Sequence, residues 1–458
     1  MEVLSQAPQP TIKCYHLSVT PYQYQVFTPN STYTSGKNLQ SYNFERSIEN
    51  FGGSFSFTIK EDTEDLKDPF MDKVEPLDII VISENGNTDK RIDFIGVVTT
   101  ISIGAMASNL NKVVTVSGKS IEWLFSYFNI ANDIKLMVFE NESANRTFLS
   151  DLEKKQGQEG ISIKDIAELS IAEFKNQERK LRNAKADTPD GKVTPISNSL
   201  VGDLIDKWFK TDYIETSDTK IAYPISSNLF ETGKVTIIDY LKKIFPTPIY
   251  EIFSYIGEDN QPKLVVREAP FDNPTAKYTI NPTQLTDYTL TRSCEEVYTA
   301  FMAYIEGTNN APSFFMDIQA AKDIQKGYNY AEPAKDKIAK YGYQLLTTSF
   351  VGYNNDSKAK IDESILQDLN QKLQKWFSNL DEMYTGDFTL VNITKEKPAR
   401  IGEWLRFANA LYYVITEKHS WTYGDNPMLN YQVTRGGEYV DGNFKPVQKL
   451  SAVYKEFE

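Results

Sequence analysis

The stretch "VVTVSGKS" (113–120), followed by "IEWLF", sets Gly-Lys-Ser between a β-branched run and an amphipathic segment. That is the order in which a phosphate-binding loop presents its lysine to a nucleotide. Such a loop needs a first glycine at position 113, so that the backbone can curl and aim successive N–H groups at the phosphates. Val113 stands there, and Val-Val-Thr-Val favours extended strand. Gly118-Lys119-Ser120 therefore reads as a strand, a glycine turn and a helix start, with Ser117 or Ser120 as the cap. The apolar run "VTIIDY" (235–240), ending in Asp239, imitates a magnesium-binding strand, but its own caps make it helical.

Other chemistry is thinly supplied. Only two histidines exist, His16 beside Cys14 on a strand-like run and His419 in "EKHSWTYG". Neither has a second ligand-type residue at metal spacing, and no G-x-S-x-G elbow accompanies them. His419 is expected to pack against an aromatic neighbour. Carboxylates are dense in "EDTEDLKD" (61–68) and "NLDEMYTGD" (379–387), which leaves a two-carboxylate glycosidase open by count alone. Both runs flank element ends, where solvated acids are usual. "ADTPDG" (186–191) lacks the alternating oxygens of a calcium loop. The Asn-x-Ser/Thr sequons at Asn30, Asn141, Asn145, Asn355 and Asn392 have no secretory signal to give them meaning. The residues themselves assign no catalytic, cofactor-binding or metal site.

The elements that must position these residues fall into blocks. From 11 to 118 the texture is β: Phe55, Phe57 and Ile59 alternate with Ser56, Thr58 and Lys60, and "DIIVIS" (78–83) ends at the turn signal "ENGN". "FIGVVTTISI" and "KVVTVSG" add two more strands, as in an antiparallel barrel or sandwich. Residues 119–245 read as a mainly helical module, with "KSIEWLFSYF", "SIKDIAELSIAEFKNQERKLRNAK" (162–185), "LVGDLIDKWF" (200–209) and "TGKVTIIDYLKKIF" (232–245), the last capped by Thr232 or Thr236. β-texture returns over 246–310, where "GEDNQ" (257–261) joins two strand-like runs. Residues 311–383 are expected to be a helical insertion with Ile361, Ile365, Leu369, Leu373 and Trp376 on one face. A last β-block covers 384–440, and 441–458 form a C-terminal tail. The expected class is α+β: two antiparallel β-barrel domains with helical modules inserted. The two blocks share texture, not residues.

Composition bounds the function. A chain of 458 residues is too long for one ordinary core, and 27 Tyr with 26 Phe favour β-structure. The net charge of -13 repels phosphates, so a sequence-specific nucleic-acid partner is not expected. Cys14 and Cys294 lie too far apart for a redox or metal motif and fit a reducing compartment. The apolar windows "LDIIVI" and "ALYYVI" are far shorter than the roughly 18 residues of a membrane span, and the N-terminus has no signal-peptide pattern, so no membrane anchor is expected.

Taken in order, several phrases resemble the central baseplate hub proteins of phage tails and of phage-like contractile particles. They begin with "KVEPLDIIVISENGNTDKRIDFIGVVTTIS", where a Pro-x-Asp-x-Val-like strand and a hairpin lead into Phe-Ile-Gly-Val-Val, and with "VVTVSGKSIEWLF". "PIYEIFSYIGEDNQPKLVVREAPFD" and "EEVYTAFMAYIEG" follow in the middle. The last is "YTGDFTLVNITKEKPARIGEWLRFANALYYVITEKHSWTYGDNPMLNYQVTRGGEY". The stretches 130–200 and 316–380 carry little of the resemblance. It implies tube-type barrels (hence the fold class above), a homotrimer presenting a pseudo-six-fold ring, and a junction between a hexameric tail tube and a three-fold spike. The implied partners are the tail tube protein, the spike or puncturing protein, the tape-measure protein and the baseplate wedge. The implied place is a virion or phage-like particle assembled in the bacterial cytoplasm. No enzyme activity and no cofactor are implied. The alternatives are a tail-associated cell-wall hydrolase and a spike-base component of a contractile secretion system. Arg435, Trp421 and Gly402 are expected to define the fold of the last barrel.

Overall fold

The computed structural model describes residues 10–16, 23–27, 38–61, 74–84, 91–105, 112–127, 161–162, 185–186, 194–195, 214–216, 220–221, 236–270, 274–306, 335–351, 363–392 and 398–447. The first block holds strands β1 (Thr11–His16), β2 (Gln23–Phe27), β3 (Asn38–Ser47), β4 (Ser54–Glu61), β5 (Ile79–Ser83), β6 (Phe94–Ala105) and β7 (Lys112–Ser120). A short helix α1 (Leu124–Tyr127) follows. Two-residue strands β8 (Ile161–Ser162) and β12 (Lys220–Ile221) pair with each other, as do β9 (Lys185–Ala186) and β10 (Thr194–Pro195). Then come β11 (Ile214–Thr216), helix α2 (Ile237–Ile244), β13 (Tyr250–Ile256), β14 (Pro262–Glu268), β15 (Ala276–Thr279), β16 (Leu285–Thr291) and β17 (Ala300–Glu306). Helix α3 (Lys335–Tyr341), β18 (Leu345–Val351) and helix α4 (Glu363–Phe377) lead to β19 (Tyr384–Val391), β20 (Trp404–Phe407), β21 (Ala410–Thr422), β22 (Met428–Val440) and β23 (Asn443–Lys445).

Fourteen of these strands make one continuous sheet, whose longest path runs β16-β19-β22-β21-β3-β4-β7-β6-β5-β1-β2. Within that path the first block contributes β3, β4, β6 and β7, ordered in space β3-β4-β7-β6. The second contributes β16, β19, β21 and β22, ordered β16-β19-β22-β21. Both blocks therefore build the same four-strand unit, first-second-fourth-third in chain order, with every neighbouring pair antiparallel. The repeat that shared texture could not demonstrate is present in the strand order. A seam between β21 and β3 fuses the two units edge to edge.

Period-2 patterning places the cores. Phe55, Phe57 and Ile59 of β4 are buried with Tyr42, Phe44, Val114 and Val116 in one cluster. Phe388, Leu390, Tyr412, Tyr431 and Val433 centre a second. A third lies between the sheet and the helices, and holds Leu124, Leu241, Phe245, Leu373 and Trp376. Helix α2 starts at a capping box: Thr236 Oγ1 accepts from Asp239 N–H at 3.1 Å while Asp239 accepts from Thr236. On α4, Leu369, Leu373 and Trp376 are buried together, as their spacing predicts.

Several expectations are corrected. The stretch 311–383 is not wholly helical: β18 pairs in parallel with β17, because "LLTTSFV" is rich in residues that favour a pleated strand. Within 246–310, only β15 and β16 join the large sheet. The hairpin β13–β14, closed by Gly257 N–H to Gln261 O at 2.8 Å, forms a separate three-stranded sheet with β11. The expected tail begins with β23, which pairs with β22. Of the long charged helix read at 162–185, Ser162 and Lys185 belong to short strands, and the residues between lie outside those described, as does 200–209.

Candidate functional site

The seam is where the two units meet, and its inward side chains pair one by one across the strands. Register sets Arg46 opposite Glu417, Phe44 opposite His419 and Tyr42 opposite Trp421. Arg46 Nη1 lies 3.1 Å from Glu417 Oε1, the Phe44 and His419 rings stack at 4.4 Å, and Tyr42 stacks on Trp421 at 6.0 Å. Alternation on β3 and β21 aims all six inward, as cross-strand pairs on one face must. Behind them sits Glu84, just past β5. It pairs with His419 Nδ1 at 3.1 Å and accepts hydrogen bonds from Tyr42 OH at 2.9 Å and Asn392 Nδ2 at 2.6 Å. Asp93 accepts from Glu84 N–H at 2.8 Å and from Arg91 Nε at 2.6 Å.

This network is buried and charged. Burial alone would lower the His419 pKa, but the Glu84 carboxylate, with Glu417 and Asp93 further off, raises it above the usual imidazole value. Glu84 shows the converse: burial would raise its pKa, yet His419, Arg91 and the Tyr42 hydroxyl hold it below the usual carboxylate value. Asp93 is raised, because burial and the neighbouring Glu84 outweigh Arg91. The cavity between Arg46, Asp93, Tyr255, Arg400, Glu417 and His419 measures about 30 Å³, room for about one water rather than a substrate.

Two further anchors lock the second unit to its surroundings. Glu251 accepts hydrogen bonds from Tyr413 OH at 2.6 Å and Arg267 Nη2 at 3.1 Å, and Arg267 also donates to Gly402 O at 2.5 Å. Gly402 has φ of 77°, and a Cβ there would lie 2.4 Å from the Phe253 ring, so both backbone and space call for glycine. The Arg435 guanidinium lies 3.9 Å from the Trp376 ring centroid, and burial lowers its pKa to about 10. Gly402 and Arg435 thus fix how the hairpin and α4 seat on the second unit. Trp421 instead packs into the first unit's core, across the seam.

The residues singled out in the sequence are placed as follows. Gly118 lies within β7, where a Cβ would sit 2.0 Å from Val97 O, and the strand runs straight through Lys119. Ser120 occupies the N-cap position of a short 3-10 turn but makes no side-chain cap bond. Lys119 and Lys242 line a cleft of about 430 Å³ with Glu45 and Glu49, charges of both signs. His16 is not isolated: its Nδ1 is 2.8 Å from Asp78 Oδ2, which also accepts from Glu75 N–H at 2.9 Å and lies 3.8 Å from Cys14 Sγ. Cys14, His16 and Asp78 are the three donors that could converge on a metal, all within 4.8 Å of one another. Burial, then Asp78, pushes the Cys14 thiol pKa far up, so the cluster without an ion is a protonated hydrogen-bonded group. Sequence spacing missed it because Asp78 is 62 residues from His16; only the β1–β5 register brings them together. Asp381 and Glu382 pair with Lys337, and Asn392 of the last sequon is an internal donor to Glu84. The acid run 62–68, the loop 187–191 and the other four sequons lie outside the described residues. No described helix is long and apolar enough to cross a membrane.

No family model and no curated protein matches this sequence. Solved structures resemble it at the level of the fold. The 43 kDa tail protein of prophage MuSo2 from Shewanella oneidensis is 10% identical, with a TM-score of 0.49 over 93% of this chain and 98% of that one. A tail protein from Neisseria meningitidis MC58 is 9% identical, with a TM-score of 0.48 over 93% and 96%. The prophage tail protein gp18 from Listeria monocytogenes EGD-e is 10% identical, with a TM-score of 0.44 over 97% and 98%. The chain is thus similar, along nearly its whole length, to proteins of phage tails.

Proposed function

We propose that this protein is a structural hub of a phage-type tail baseplate, a homotrimeric ring that joins a hexameric tail tube to a three-fold spike. The observation that carries this reading is the pair of four-strand units with one strand order, fused in one sheet. A chain that presents the same unit twice offers three-fold neighbours one chain each and six-fold neighbours one unit each. That is the geometry a symmetry adaptor requires. In this reading residues 11–118 form one tube-type barrel. Residues 246–310 and 384–440 supply the second, with 119–245 and 311–383 as modules on its outside. The ordered hub phrases in the sequence point the same way. Its partners are further copies of itself, the tail tube and spike proteins, and the tape-measure and wedge proteins beside them, within a virion or phage-like particle. Its work is mechanical; the buried charges of the seam are engaged with one another and face no substrate-sized cavity.

The test is native mass, measured alone and with the tail tube and spike proteins. A trimer of 52.2 kDa chains in either setting is the expected result, and a strict monomer in both overturns the reading.

A further inference from the structure

We infer that neighbouring copies of this chain join by strand pairing between the second half of β6 (residues 99–105) and the outer edge of β16, repeating between chains the seam that β21 and β3 make within one. The inference rests on the ring reading above and names the edges that close it. The occupant of each edge is a second copy of this chain.

The two units match in detail at their third strands. β6 gives its first half to β5, with Phe94–Val97 opposite Ile82–Ile79, and β21 gives its first half to β20, with Ala410–Tyr413 opposite Phe407–Trp404. Each then shifts register at a bulge, between Val98 and Thr100 in β6 and between Val414 and Thr416 in β21. The backbone bonds at that point agree as well. Leu77 N–H donates to Val98 O, and Val98 N–H to Asp78 O; Gly402 N–H donates to Val414 O, and Val414 N–H to Glu403 O. Leu77 and Gly402 both have φ of 77°. Past the bulge the two strands differ in one respect. Thr416–Thr422 pair with β3, whereas residues 99–105 have β7 on one side and no strand on the other among the described residues.

β16 is the counterpart of β3, and it ends the strand order at the opposite side. Neither free edge carries the devices that keep edges apart. "TTISIGA" (99–105) has no charge and no proline, "LTDYTLT" has a single acid, and Ile103 is 52% exposed. An edge left this bare is built to be covered.

Register transfers from the inner seam. Pairings across the first unit put Val98, Gly118, Phe55 and Phe44 in one row; the second unit's row is Val414, Val433, Gly386 and Leu290. His419, five residues past Val414, faces Phe44. Ile103, five past Val98, therefore faces Leu290 of the next copy, and two apolar side chains meet. The contact is head-to-tail, so it either closes into a ring or propagates.

The test pairs Ile103→Cys with Leu290→Cys in a chain carrying Cys294→Ser, since Cys294 is exposed and Cys14 is buried. Facing residues of antiparallel strands lie within disulfide reach. Mild oxidation should give a covalent ladder ending at three chains on a non-reducing gel. Each single-cysteine variant should give no ladder, nor should Gly104→Cys with Leu290→Cys, because a one-residue slip turns the side chain to the other face. Ile103→Lys, at a site open to solvent in the single chain, should keep the circular dichroism spectrum and convert trimer to monomer. A native trimer that neither cross-links at this pair nor dissociates with Ile103→Lys overturns this junction and leaves the ring reading standing. A wild-type monomer, in the presence of tube and spike proteins, overturns both.

Discussion

His419 is held between two opposing influences, full burial beside Phe44 and a carboxylate at 3.1 Å, and the carboxylate wins. The sign of the resulting pH dependence follows. A raised imidazole contributes stability fully below its ordinary value of 6.5, and loses it as pH rises through the higher folded value. Glu84, whose pKa is lowered, contributes above its ordinary 4.5 and loses that as pH falls through the lower folded value. Asp93, raised from 3.8, adds to the alkaline loss; Arg91, Arg46, Glu417 and Tyr42 complete the groups facing the pair. The melting-temperature difference between wild type and His419→Gln should therefore be largest between pH 4.5 and 6.5 and shrink on the alkaline side. A difference that is flat from pH 4 to 9 would remove the charged His419–Glu84 pair. Gly402→Ala makes a simpler prediction at this scale: with φ of 77° and the Phe253 ring 2.4 Å from the new methyl, destabilisation should reach about 2–4 kcal/mol in urea melts.

Seam and helix make separate claims at the scale of elements. Removing either partner of Arg46–Glu417 leaves a buried charge alone, so Arg46→Ala or Glu417→Ala should each cost about 3–5 kcal/mol by chemical denaturation. Replacing both with leucine should recover most of that loss. If the double replacement is as damaging as the singles, the seam depends on the ion pair rather than on filled volume. Trp376→Ala should cost about 3–5 kcal/mol, and amide exchange should rise first along α4, because Trp376 is both a core residue and the surface on which Arg435 rests. Much of this layer was legible in the sequence. The alternation of Phe55, Phe57 and Ile59 fixed a buried strand face, and the spacing of Leu369, Leu373 and Trp376 fixed a helix face, because both signals are local. β18 was misread because its short apolar run sits among helical stretches, where period alone does not separate strand from helix. The seam left no local trace: Arg46 and Glu417 are 371 residues apart, and nothing around either residue specifies the other. His419 was correctly expected against an aromatic ring, although its carboxylate partner, 335 residues away, was out of reach of any spacing rule.

For the whole molecule, charge opposes the assembly proposed above. Each chain carries -13, and copies brought into a ring repel one another. Trimer formation should strengthen as salt rises from about 50 to 300 mM, since screening shortens the reach of that repulsion to below about 10 Å. Analytical ultracentrifugation across that range checks it; a trimer that weakens with added salt would mean that opposite charges hold the contact.

The fusion of two units through β21 and β3 also changes the statistics of building a six-unit ring. Six separate units must each surrender translational and rotational freedom on joining, whereas three double units make only half as many such sacrifices, and half of the unit–unit contacts are formed before the chains ever meet. A ring made this way responds to chain concentration as a three-body event. It forms at dilutions where six loose units would stay apart, which suits a component present in few copies that has to nucleate a long tube.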